Sequence, residues 1–345
     1  MSRINVVRRL AFAGMLLAFC VVVFGAYVRL SDAGLGCPDW PGCYGHVTPA
    51  QAAAADAGTT AAPLHVGKAW REMIHRYGAS TLGFVILVIA ALTWLWRRQP
   101  GMPVGLPLSL VALVVFQGLL GMWTVTLLLK PLIVTAHLVF GLTTLSMLWW
   151  LWLSLRRRST SPWSGSVSAL GGGSAAALLL PASVGVRRIA LIALVALAVQ
   201  IILGGWTSTN YAAVACPDFP TCQASWWPDA DYRDAFVLWR GLGINYEGGV
   251  LDHPARVAIH FTHRLGAVVA TLALLFAAVT SLRDRPGRNR RWAAIAVLAA
   301  LLLQLTIGIS MVKQGFPLWL ATAHNAGAAL LLLSALALNR ALRRA

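Results

Sequence analysis

Four histidines stand in two matched pairs. His75 lies in Trp70-Arg-Glu72-Met-Ile-His75-Arg76, and His137 follows 62 residues later. His263 lies in Arg256-Val-Ala-Ile-His260-Phe-Thr-His263-Arg264, and His324 follows 61 residues later. All four sit near the start of a long apolar segment. Ionisable groups in membrane helices are costly and mark function by default. One such histidine could be a hydrogen-bonded packing residue, but four at matched positions call for a shared chemistry. Two imidazoles from alternate helices, at similar depth, could place one ring on each face of a flat iron macrocycle, as helical bundles do with haem. No C-x-x-C-H occurs, so such a group would be held without a covalent link. Zinc or copper would want three or four ligands per site, and each half offers two obvious ones.

The two halves differ beside the first histidine. Glu72 and His75, spaced i and i+3, share a helix face, whereas the second half carries His260 where the first has Glu72. A carboxylate there could be a salt-bridge partner of Arg71 or Arg76. Its presence in one half alone points to a reaction site there and a cofactor site in the other, with Glu72 moving protons. Arg76 and Arg264 could pair with haem propionates or snorkel toward headgroups. Cys37-Pro-Asp-Trp-Pro-Gly-Cys43 and Cys216-Pro-Asp-Phe-Pro-Thr-Cys222 read as two short-loop disulfides. A redox role and, less so, metal binding with His46 are the alternatives. Cys20 reads as a packing residue. Gln117 and Gln304 read as interhelical hydrogen-bond formers.

The elements that must position these residues are membrane helices. The chain is 58% hydrophobic and 11% charged, with 15 tryptophans, far from the roughly 25% charge of soluble domains. Eight apolar runs, at 10–30, 73–96, 104–127, 131–155, 187–208, 257–281, 292–312 and 318–339, are each near the ~20 residues that span a bilayer as a helix. They lack the alternation of a membrane barrel. The first run is longer than a leader's apolar core and has no A-x-A site. The net charge of +17 comes from short basic clusters between runs, which is a topology signal rather than a nucleic-acid surface. Of the 11 acidic residues only Asp284 falls on the arginine-rich side, so that side and both termini are expected to be cytoplasmic, in a bacterial-type plasma (inner) membrane.

The pattern restarts after residue 186. The cysteines recur at an offset of 179, the first histidines at 188, and the second histidines and Gln117-x3-Gly121 at 187. The expectation is an all-α polytopic membrane protein, two four-helix bundles (1–155 and 187–345) related by a pseudo-twofold axis along the membrane normal. Residues 156–186 read as a flexible cytoplasmic linker.

Together, Glu72-Met-Ile-His75-Arg76, the paired C-P-D-[WF]-P-x-C loops, Gln117-Gly-Leu-Leu-Gly121 with Pro131 and His137, and their second-half echoes resemble the haem A synthase family. The resemblance covers all eight runs. It implies oxidation of the C8 methyl of haem O to a formyl group by two successive hydroxylations and loss of water. It also implies His75 and His137 on the substrate haem O, Glu72 as the catalytic carboxylate, and His263 and His324 on a cofactor haem b. Disulfides Cys37–Cys43 and, in some members, Cys216–Cys222 are part of it. The implied partners are haem O, the haem O synthase, an electron donor or acceptor in the membrane, and the bilayer. Residues 44–68 and 223–255 match no motif. A diheme b-type electron carrier and a repeat-built transporter are the competing readings.

Overall fold

The computed structural model describes residues 2–55, 64–156, 182–284 and 287–343. Its long helices are α1 (Arg3–Leu30), α3 (Val66–Leu95), α4 (Gly105–Thr126), α5 (Pro131–Arg156), α6 (Val184–Thr209), α8 (His253–Arg283), α9 (Arg288–Lys313) and α10 (Leu318–Leu342). Two short helices, α2 (Pro49–Ala54) and α7 (Tyr232–Ala235), lie in the two long loops. Among the described residues there is no strand, only isolated bridges at Cys43–His46 and Cys222–Ser225.

All eight long helices are long and apolar enough to cross a membrane. At about 1.5 Å per residue, the shortest, α4 with 22 residues, covers a hydrocarbon core of roughly 30 Å. Their outward faces carry bare apolar side chains such as Phe84, Ile192 and Leu302, a surface suited to lipid. The chain is a multi-pass helical membrane protein.

Several helices outrun the apolar segments read from the sequence. α1 begins at Arg3 because the Ser2 hydroxyl accepts the Asn5 N–H as an N-cap. α3 begins at Val66 and α8 at His253, so Glu72, His75, His260 and His263 lie one to three turns inside their helices rather than at the first turn. α8 is entered through Pro254, whose fixed φ suits the first turn. α5 runs to Arg156 and α6 starts at Val184; the linker expected at 156–186 falls mostly on residues 157–181, which lie outside the described part.

Each helix packs against its sequence neighbours. α1 lies against α3 and α5, with α4 closing that ring; α6 lies against α8 and α10, with α9 closing the other. One apolar core is built on Ala11, Met15, Ile86, Leu110, Leu145 and Leu148, the other on Ala190, Leu197, Leu274, Val297 and Leu338. α10 contributes to both, through Ala329 and Leu333 on one side and Leu331 and Leu338 on the other. Between the rings, polar bonds replace the hydrophobic drive that lipid removes. Asn339 Nδ2 donates to Ala190 O at 3.0 Å within the second ring. Arg340 donates to Ser154 Oγ at 2.8 Å and Trp149 Nε1 to Leu333 O at 3.1 Å across it. At the loop side, Arg29 donates to Ser208 O at 2.9 Å at the carboxyl end of α6 and lies 4.2 Å over the Tyr211 ring.

Candidate haem sites and the loops above them

α3 and α5 bring His75 and His137 together, with ring centroids 6.4 Å apart. A metal about 2 Å from an imidazole nitrogen on each side, with about 1 Å more to each ring centre, needs a separation of roughly 6 Å. The pair is therefore spaced for one axial position between two rings. Both Nδ1 atoms are buried with no hydrogen-bond partner, which is costly unless something else engages the imidazole. In the second half, α8 and α10 place His263 within electrostatic reach of His324. The spacing of His75 and His137 fits an iron macrocycle held by one imidazole on each face.

Every ring has a glycine behind it. A Cβ built on Gly25 would meet His75 at 2.6 Å, on Gly121 His137 at 3.4 Å, on Gly204 His263 at 3.1 Å, and on Gly308 His324 at 3.0 Å. Gly25 and Gly204, like Gly121 and Gly308, are equivalent positions in the two halves. A side chain at Gly25 would push His75 off its axis, one at Gly204 or Gly308 would crowd its ring, and at Gly121 a Cβ would only touch His137. Reading the sequence for chemistry missed these four, although Gln117-x3-Gly121 and Gln304-x3-Gly308 carry the signal as a repeated spacing. It also missed Gln200, whose Nε2 lies 3.0 Å from His263 Nδ1 and 3.0 Å from His263 O. The expected interhelical amides are in place: Gln117 Nε2 donates to His137 O at 2.8 Å, and Gln304 Nε2 lies 3.3 Å from His324 Nδ1.

Glu72 is buried, 5% exposed, and its carboxylate turns toward the first loop. One oxygen accepts the Cys37 N–H at 2.8 Å, and the other pairs with Arg76. Of the two partners the sequence allowed, Arg76 is the one chosen. Its guanidinium also donates to Asp39 O at 2.9 Å and Gly42 O at 2.5 Å. The second half repeats this scheme with different chemistry. Cys216 N–H points at His260 Nδ1 at 3.3 Å, Arg264 Nε at His260 Nε2 at 3.3 Å, and Arg264 also donates to Thr221 O at 2.7 Å and Cys216 O at 2.9 Å. A neutral imidazole has one acceptor nitrogen, so His260 satisfies one of its two donors where Glu72 satisfies both. Both arginines, read as partners of propionates or as snorkelling toward headgroups, are engaged with loop carbonyls.

The cysteines form two disulfides, Cys37–Cys43 and Cys216–Cys222. The aspartate in each motif builds the turn that follows. Asp39 accepts the N–H groups of Tyr44 at 2.6 Å and Gly45 at 2.8 Å; Asp218 accepts those of Gln223 at 2.8 Å and Ala224 at 3.0 Å. Hydrogen bonds from the Thr221 hydroxyl and these amides hold the Asp218 carboxyl below the ordinary range. One reading is corrected: Cys20 is a free thiol on the exposed face of α1, not a packing residue.

Eight apolar spans with intramembrane histidine pairs under disulfide-closed loops define an eight-span helical membrane protein built around buried imidazoles. The family model COX15-CtaA, described as cytochrome oxidase assembly protein, matches residues 8–336, and the chain belongs to that family. It is 42% identical over 323 residues to the heme A synthase of Shewanella oneidensis, covering 92% of this chain and 91% of the relative. It is 28% identical over 345 residues to that of Chelativorans sp., covering 95% and 88%. It is 25% identical over 308 residues to that of Halalkalibacterium halodurans, covering 88% and 86%.

Proposed function

We propose that this chain is a haem A synthase, oxidising the C8 methyl of haem O to a formyl group. The observation that carries the reading is the His75–His137 pair, brought to 6.4 Å by two membrane helices. The 42% identity to a relative named heme A synthase supports the activity.

In this reading His75 and His137 hold the substrate haem O by its iron, and His263 and His324 hold a resident haem b. When bound, haem b supplies one-electron transfer. The protein's own contribution is positional. Gly25 and Gly121 let the two helices bring both imidazoles close, which fixes the macrocycle and hence its methyl edge. Glu72, one turn from His75, would be the catalytic carboxylate: it takes up protons released as the methyl is oxidised, or stabilises positive charge there, while the electrons leave by way of the second-half haem b to the membrane electron carrier. Arg76, tied to Glu72, keeps that carboxylate aimed and can share a donor with a propionate, as can Arg264 in the second half. The two halves are proposed to be parallel bundles related by a pseudo-twofold axis. Both termini are placed in the cytoplasm and the disulfide loops on the outer side of a bacterial-type inner membrane. The haem O synthase and a membrane electron carrier are the expected partners.

The test is expression in a bacterial host that makes haem O but no haem A. The reading requires haem A in the extracted pigment when this chain is present. Haem O alone, with the chain in the membrane at normal level, would overturn it.

A further inference from the structure

The four histidine-facing glycines reveal a difference between the halves that the Glu72–His260 exchange does not. Each glycine is preceded, four residues earlier on the same helix face, by a residue that reaches the neighbouring histidine helix. Three of these are glutamines: Gln117 before Gly121, Gln200 before Gly204 and Gln304 before Gly308. The fourth is Val21, before Gly25, beside His75. A small residue on the histidine helix opens the space in every case. Gly266 faces Gln200, Gly327 faces Gln304, Gly141 faces Gln117, and Gly78 faces Val21. Gly78 keeps the space although Val21 has no amide to put there.

The bonds follow the residues. In the second half both rings have an amide at hydrogen-bond distance: Gln200 Nε2 is 3.0 Å from His263 Nδ1 and 3.5 Å from its Nε2, and Gln304 Nε2 is 3.3 Å from both ring nitrogens of His324. Gln200 also donates to the backbone of His263 at 3.0 Å, as Gln117 does to that of His137 at 2.8 Å, but in the first half neither Nδ1 has a partner, and the Val21 position meets the His75 ring through its backbone, not through a side chain. A metal-bound imidazole donates its other N–H to an acceptor that fixes the ring. Gln200 Oε1 is buried without a donor, and a half-turn of the amide presents it to that N–H in exchange for the Nε2 bond to His263 O. Val21, His75 and Gly78 instead line an open apolar groove of about 570 Å³ bounded by α1, α3 and Thr322 of α10.

We propose that Gln200 is a positioning residue that locks His263 and so makes the second half retain its haem, while Val21 at the equivalent place leaves His75 able to release its own. This rests on the reading of the first half as the substrate site and the second as the cofactor site. A substrate must leave after each turnover and a cofactor must not, so the two sites need opposite release rates from nearly identical ligands. One hydrogen bond to the ring is enough to set a difference of about tenfold.

The experiment uses the full-length, haem-loaded protein in detergent, with excess apomyoglobin as haem acceptor. Haem b loss is followed by absorbance, and the reduction potential and low-spin resonance are recorded in parallel. Gln200→Val is expected to speed haem b loss about tenfold and to raise the haem b potential, because the ligand ring loses its acceptor. Gln200→Glu, which keeps an acceptor, is expected to restore slow loss. Val21→Gln is expected to slow loss of the first-half haem about tenfold. Wild-type loss rate and potential in Gln200→Val, or an unchanged first-half rate in Val21→Gln, would overturn the proposal. His263→Ala separates the two claims: if it retains haem b, the ligand reading itself fails, whereas if it loses haem b and Gln200→Val behaves as wild type, only the role of Gln200 fails.

Discussion

Glu72 and His260 occupy one place in the repeat and do related work. Each faces the N–H of the first loop cysteine and the arginine one turn on. Position alone therefore does not mark Glu72 as chemical; its proposed role rests on the carboxylate that His260 lacks. Glu72→His copies the second-half arrangement, so the loop keeps an anchor while the carboxylate is lost. It is expected to keep the Cys37–Cys43 loop resistant to proteolysis and to lower haem A per protein at least about a hundredfold, the range for loss of a general acid or base. Haem A at the wild-type level in this variant would leave Glu72 as an anchor only. Histidines, carboxylate and cysteines were legible in the sequence because their types are rare in apolar helices. Gly25, Gly121, Gly204 and Gly308 were not, because glycine is common in membrane helices and a close approach between helices shows only in three dimensions. Gln200 was hidden for a related reason: its equivalent is Val21, so the repeat did not flag it.

At the level of elements, the eight spans followed directly from apolar length, while the loops did not. The C-P-D motifs read as turns, yet nothing local said that Arg76 and Arg264 would reach up to hold their carbonyls. Nor did the sequence place the second loop on the first half. Lys130, at the α4–α5 turn, is 2% exposed; its Nζ donates to Gly241 O and lies 3.5 Å over the Trp239 ring. Tyr246 N–H donates to Leu128 O at 3.1 Å beside it. Lys130→Met is expected to raise hydrogen exchange across residues 237–250 and to cost about 1–3 kcal/mol in thermal stability, the scale of a charged hydrogen bond and a desolvated cation–π contact. Unchanged exchange there would show that the loop needs no such clasp. Asp218 gives the pH counterpart. Its folded pKa lies below the ordinary 3.8, so its support is complete above the unfolded value and is lost as pH falls through the lowered folded value. Exchange at Gln223 and Ala224 is expected to accelerate in acid below about that ordinary value, and Asp218→Asn should remove the acid step.

For the whole molecule, the central claim is that one chain carries two haem sites with different tasks. Two apolar cores, two histidine pairs and two disulfide loops support the duplication. Glu72 against His260 and Val21 against Gln200 support the division of labour. A non-catalytic diheme carrier would share the duplication but not the division. The most direct measurement is chromatography of the haem extracted from purified wild-type protein and from His263→Met. Haem B together with haem O or A is expected from the wild type, and selective loss of haem B from His263→Met. Haem B alone from the wild type, or equal loss of every haem from the variant, would contradict it.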